Sequence, residues 1–228
     1  MPEAVAALPN AAARRWPLEL LQPLDRFLFG MVPSVNAEAL AAWVATVLVP
    51  REPQSRLAVE QLGFGQVEQL LARVAPIHGI ALTRLTRDWQ SRLALLPPSE
   101  WFKLGFTLSV LPFCGHAQRS MDGNFRRALR DNLGPEGATV LDQYAGRGRE
   151  LEFLLGAGAW KNPELVATSG VRAAFEQVCP WGEPIRRRFL LQFSPRVFEG
   201  PASVAGLDET WLEIACKISL QDHPWLWS

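Results

Sequence analysis

Apolar residues recur at every third or fourth position in segment after segment of this chain, and proline or glycine cuts off each segment. That spacing lines one face of a helix, whereas a half-buried strand needs strict alternation, and no clean alternating run occurs. Between Asn36 and Val49, the residues Leu40, Trp43, Val44, Val47 and Leu48 form one stripe, with Asn36 placed to cap and Pro50 to stop. Pro50 to Arg56 reads as a loop. Helices are expected around Gln66 to Ala75, before Pro76 and Gly79, and from about Ile80 to Leu95, before Pro97 and Pro98.

The central part is the best patterned. Ser99 is placed to cap a helix with Leu104, Leu108 and Leu111 on one stripe and Phe102, Phe106 and Val110 beside it, closed or kinked by Pro112. In the next helix Phe125, Leu129 and Leu133 recur every fourth residue, Arg126, Arg127 and Arg130 turn outward, and Gly134 is the stop. Pro135 fits the first position of a helix carrying Ala138, Leu141 and Ala145, and Arg147 to Leu155 reads as a further short helix. Val171, Ala174, Phe175 and Val178 mark another, starting after Thr168 or Ser169 and ending at Pro180. Ile185 to Pro195 fits either a short strand or a helix, the dozen residues after it form the longest loop, and a last helix starts near Asp208. Eight or nine helical patterns predict an all-α, mainly α fold: one compact helical domain over residues 14–228, behind a mobile Ala-rich segment at residues 1–13.

Composition enters where function is at stake. With 48% hydrophobic and 20% charged residues over 228 positions, the chain has ordinary globular content and enough length to bury a core without disulfides or metal. Its 23 basic and 23 acidic residues cancel, which counts against a dedicated nucleic-acid binder. Of the basic residues only Lys103, Lys161 and Lys217 are lysine, and there are nine Trp. Both Arg and Trp are interface-prone. Cys114, Cys179 and Cys216 are odd in number, widely spaced and set among apolar or small residues, as expected of buried thiols in a reducing compartment. The N-terminal sequence lacks the charge order of a signal peptide, and the longest apolar stretch, Ala39 to Val49, is too short for a bilayer that needs about 20 residues. A cytoplasmic protein without direct membrane insertion is expected.

No catalytic or cofactor pattern stands out. Cys114 and His116 are a lone pair without the second pair of a zinc site, and His78 is distant in sequence. Gly63 and Gly65 lack the third glycine of a dinucleotide fingerprint, and Gly134 to Thr139 lacks the lysine of a phosphate loop. No cofactor, metal or catalytic residue is therefore expected. Arg186, Arg187 and Arg188 are the one basic cluster, fit for a solvated face, for ion pairs with Glu176, Glu183 or Glu199, or for protein docking. Trp225 and Trp227 fit either packing onto the domain or an exposed docking point.

The stretch LALLPPSEWFKLGFTLSVLPFCGHAQRSMDGNFRRALRDNLGPEGATVLDQ, Leu93 to Gln143, resembles the core of the SctK family, the YscK, PscK and OrgA-like group. Its marks are a Leu-Leu-Pro opening, a helix with a small residue at its middle, a short arginine-containing helix, and a helix after a Gly-Pro break. SGVRAAFEQVCPWGEPIRRRFLLQFSP, Ser169 to Pro195, is similar to the family's Ser-Gly helix and the Arg-Leu-rich segment after it, and WLEIACKISLQDHP also fits. The resemblance covers about residues 90–222 and is carried by packing residues such as Leu96, Pro97, Leu104, Leu108, Phe125, Leu129, Gly170, Leu190 and Leu191. It implies a non-enzymatic cytoplasmic adaptor of a bacterial type III secretion sorting platform, a virulence apparatus for protein transport. The partners it implies are an SctQ-like pod protein and the cytoplasmic domain of an SctD-like inner-membrane ring protein. Arg147, Arg149, Arg186 and Arg187 are the candidate partner-binding residues, because rim charges steer encounter and fix register. The alternatives are a helical nucleic-acid-binding regulator using Arg126, Arg127, Arg130 and the cluster at 186–188, and a cysteine- or metal-dependent enzyme around Cys114, His116 and His78.

Overall fold

The computed structural model describes residues 18–47, 62–77, 80, 82–115, 123–134, 137–144, 147–148, 150–179 and 181–227. These form a mainly α domain. Its helices are α1 (Leu18–Leu28), α2 (Ala37–Val47), α3 (Phe64–Val74), α4 (Leu82–Arg87), α5 (Trp89–Arg92), α6 (Pro98–Val110), α7 (Gly123–Leu133), α8 (Gly137–Gln143), α9 (Pro163–Gln177), α10 (Glu183–Leu190) and α11 (Glu209–Ser219). Short 3-10 turns link several of them. Among the described residues the strands are β1 (Glu152–Phe153) and β2 (Val204–Ala205), a two-residue antiparallel pair. No helix among the described residues is long and apolar enough to cross a membrane.

The architecture is organised by α6, which is wrapped so completely that Trp101 and the whole run from Leu104 to Val110 are buried. A helix apolar all round belongs at the centre of a domain. Its main partner is α9, and the two approach so closely at Gly105 and Gly170 that a β-carbon on either would collide with the other helix's backbone. Ser109 sits one turn on from Gly105, donating within α6 to Gly105 O at 2.9 Å or across to Val166 O at 3.1 Å, and lies 2.6 Å from the Ser203 hydroxyl. Ser203 N donates to Ser169 O at 3.1 Å. Small residues thus bring the backbones together, and the buried hydroxyls of Ser109 and Ser203 find their hydrogen-bond partners between them.

Around one end of this crossing lies an aromatic cluster. Trp101 and Trp181 both pack on Phe189 with ring centroids 4.8 and 4.6 Å apart, and their indole N–H groups donate to Leu93 O and Gln90 O at 3.0 Å each. Trp101 and Trp181 are therefore core material with their polar atoms satisfied. A smaller apolar cluster, with Leu40, Leu71 and Val74 at its centre, joins α2, α3 and the end of α10 at Leu191.

Local signals explain most boundaries. The Asn36 carboxamide accepts from Ala39 N at 3.0 Å and so caps as expected, and the Asp208 carboxylate accepts from Trp211 N at 3.0 Å at the expected start of the last helix. Gly134 has φ +76°, the left-handed conformation that ends α7. Elsewhere the structure corrects the expectation. Helix α6 begins at Pro98 behind an extended Pro97, so Ser99 lies inside the first turn and does not cap. Helix α9 starts six residues before Ser169, with Asn162 accepting from Leu165 N at 3.0 Å and Pro163 at the first position, where its missing N–H costs nothing. The expected helix from Ile80 is broken at an extended Asp88 into α4 and α5.

Arg147 to Leu155 is not a helix. Gly148 passes so close to the Pro112 backbone that no side chain fits, and the chain then runs extended as β1. Phe153 stacks on Trp160 at 4.5 Å, and Leu154 N donates to Ser203 O at 2.9 Å. Ile185 to Leu190 is helical as part of α10. The segment at 1–13, the loop Pro50 to Arg56 and Pro135 lie outside the described residues.

Candidate docking site

The four arginines proposed for partner contact do not form one patch. Arg147 is exposed in the turn after α8, its guanidinium 5.3 Å from the Tyr144 ring. Arg149 lies outside the described residues. Arg186, exposed on α10, sits 4.5 Å over Phe175 of α9. Arg187 is engaged on three sides: it pairs with Glu183 at 2.9 Å, donates to Val74 O at 3.2 Å, and lies 4.9 Å over the Trp43 ring. It ties α10 to α3 and α2.

Arg188 turns inward and is only 4% exposed. Its Nε donates to Ala75 O at 3.0 Å, and its Nη1 to Phe27 O at 2.7 Å and Leu28 O at 3.0 Å. One guanidinium thus satisfies carbonyls at the C-terminal ends of both α1 and α3, where the helix dipoles also favour a cation. Burial pushes its pKa down to about 10, which leaves it charged at neutral pH. The three consecutive arginines therefore face three directions, and the single cationic face that a phosphate-binding cluster requires is not built here. Arg126, Arg127 and Arg130 do lie exposed on α7.

Sequence reasoning missed Arg188 because it treated the cluster as one surface feature. Helical phase carried the needed signal, since Arg188 follows Ile185 by three residues and precedes the buried Phe189. The same use of arginine recurs. Arg92 donates to Trp225 O at 2.9 Å and Leu226 O at 3.1 Å, anchoring the C-terminal segment. Arg26 reaches Leu95 O at 2.7 Å, while Arg172 donates to Val197 O and Pro201 O and so fixes the loop before β2. Arg26, Arg92, Arg172 and Arg188 thus serve as internal braces of backbone carbonyls. Trp225 is buried, whereas Trp227 is 38% exposed and lies 5.0 Å from Trp89.

Next to Arg188 is a cavity of about 310 Å³ between α1, the turn after it, and α3. Leu28, Met31, Leu71, Ala72 and Ile77 supply apolar wall, and Phe29 stands at its edge with 67% of its surface exposed. A second, larger cavity of about 720 Å³ lies between α1 and the C-terminal segment and carries Glu19, Asp25, Asp222, Arg26 and His223. His223 Nε2 is 3.6 Å from a Glu100 carboxylate oxygen.

Cys179 and Cys216 are placed against reactivity. Cys114 and Cys216 are buried, Cys179 is partly covered, and burial pushes the Cys179 and Cys216 thiols well above their usual range. A thiol held protonated is a poor nucleophile and a poor metal ligand. His78 and His116 lie outside the described residues, and among the described residues no group of three or more His, Cys, Asp or Glu could hold a metal ion. Comparison of the chain with protein-family models, curated proteins and solved structures returns no match.

Proposed function

We propose that this protein is a non-enzymatic cytoplasmic adaptor of a bacterial type III secretion sorting platform, an SctK-like protein linking the inner-membrane ring protein's cytoplasmic domain to the SctQ-like pod protein. One observation carries the reading. The two stretches of the chain that resemble the SctK family are separated in sequence, yet their small-residue marks, Gly105 in the first and Ser169-Gly170 in the second, meet face to face at the α6–α9 crossing. Marks that jointly form one packing device support a shared scaffold better than marks scattered over a surface would. The residues named for the resemblance pack accordingly, with Leu96, Leu104, Leu108, Phe125 and Leu191 all at or below 1% exposure.

On this reading function lies in docking surfaces on a rigid helical frame, and the protein turns over no substrate. Co-purification is the test. The wild-type chain should retain the ring protein's cytoplasmic domain and the pod protein, each in a separate binary experiment at micromolar concentration. Loss of both would remove the adaptor reading.

A further inference from the structure

The cavity beside Arg188 joins three features seldom found together. Its wall is largely apolar, its rim exposes Phe29 at 67% and Ile77 at 37%, and its lining includes Arg188, a residue only 4% exposed. The hydrogen bonds of Arg188 use Nε and Nη1 only, so Nη2 has no partner in the protein among the described residues. Glu68, the one carboxylate among the described residues of the cavity lining, is exposed and makes no ion pair with Arg188. A free N–H pair on a cation set largely out of water attracts an anion more strongly than the same group in open solvent. It is also held rigid by the ends of two helices, so binding to it costs little ordering entropy.

At about 310 Å³ the cavity is at the lower end of small-molecule sites, which run from about 300 to 1,000 Å³, and suits one or two side chains of a larger partner. We propose that it is a socket for a linear partner segment in which a carboxylate lies next to one bulky aliphatic or aromatic side chain. The apolar side chain fills the cavity against Leu28, Leu71 and Ile77, and the carboxylate accepts from Nη2 of Arg188. Such an anchor, central and desolvated, is the usual form of an interface hot spot. The inference rests on the adaptor reading for which partner supplies the segment, and its chemistry can be tested without that partner.

Replacing Arg188 would remove a support of two helices, so the test varies the socket instead. Ala72 lines the cavity and is exposed, and Ala72→Trp places an indole in it without touching the core. A displayed library of random linear peptides is sorted against the wild-type protein, and the enriched peptides are made synthetically. They should share an Asp or Glu adjacent to a bulky apolar residue. Changing that acid to its amide should weaken binding about tenfold, Ala72→Trp at least tenfold, and Phe29→Ala severalfold, with the thermal melt of each protein variant matching wild type. The socket is refuted if no peptide binds above background, if the selected peptides lack the acid, or if their binding ignores both the amide change and Ala72→Trp. Self-association of the wild type that Ala72→Trp abolishes would give the cavity to a second copy and also overturn the proposal. Because no secretion protein is present, acidic peptides that bind here while co-purification fails would sink the adaptor reading and leave the socket standing.

Discussion

Gly105 on α6 and Gly170 on α9 lie backbone against backbone, with Ser109 one turn along donating to carbonyls of either helix. The contact explains why both helices carry glycine mid-length despite its cost of about 1 kcal/mol relative to alanine in a helix. Close approach lets the buried faces of α6 and α9 pack without a gap.

A methyl group at this crossing has nowhere to go, because the obstructing atoms are backbone. Gly170→Ala should therefore destabilise the protein by about 2 to 3 kcal/mol, or roughly 5 to 10 °C in melting temperature for a chain of this size. Gly158→Ala is the control, since no atom lies within 4 Å of the added carbon. Thermal melts of the two variants should separate clearly, and equal melting temperatures would show that the helices are further apart than described.

Arg188 and Arg186 are two residues apart and should respond unequally to the same change. Arg188→Met relieves the burial of a charge but strips three helix-end carbonyls of their donor, each unsatisfied group costing about 1 to 3 kcal/mol, so the loss wins and stability falls by at least about 2 kcal/mol. Arg186→Met removes an exposed contact with Phe175 and should stay within about 0.5 kcal/mol of wild type. Urea denaturation of both variants measures the difference.

The Cys179 and Cys216 thiols make stability fall in alkali. In the unfolded chain Cys179 and Cys216 ionise near their usual value of 9.0, while in the fold burial keeps them protonated well beyond it. Above about pH 9 the native state therefore binds more protons than the unfolded state, and each thiol removes stability at up to about 1.4 kcal/mol per pH unit. Unfolding free energies measured from pH 7 to 10 should decline in this way, and the double variant Cys179→Ala, Cys216→Ala should decline less steeply. Identical slopes would mean that these thiols ionise in the folded protein.

Much of the fold was legible because apolar period, caps and breakers agree along most of the chain. Asn36 was readable as a cap and Asp208 as a helix start, and the central apolar run was readable as the core helix that α6 is. The misreadings arose where a tertiary contact outweighs local pattern. Gly148 against Pro112 turns an apparent helix into β1, and nothing near Gly148 in sequence announces Pro112. Asn162-Pro163 was a readable start for α9 that the apolar period, weak before Val166, obscured. As for the site, a side chain bonded to carbonyls 113 and 161 residues away leaves no local trace, so an inward Arg188 could be suspected from helical phase but its role could not.

Charge reversal now divides the candidate contacts. Arg147→Glu and Arg186→Glu alter exposed guanidinium groups and should weaken partner association severalfold while the circular dichroism and melting curve stay unchanged. Arg187→Glu breaks a Glu183 pair and a bond to Val74 O, so it should lower the melting temperature as well. A fall in melting temperature with Arg147→Glu or Arg186→Glu would mark those residues as structural.

An adaptor must hold two partners at once, and that is the most direct test. The ring protein's cytoplasmic domain and the pod protein are mixed with and without this chain, and the masses of the eluting species are read by light scattering after size exclusion. The account predicts a ternary species that forms only when the chain is present, with the two partners eluting apart in its absence. Partners that displace one another from the chain, or that associate equally well without it, would contradict it.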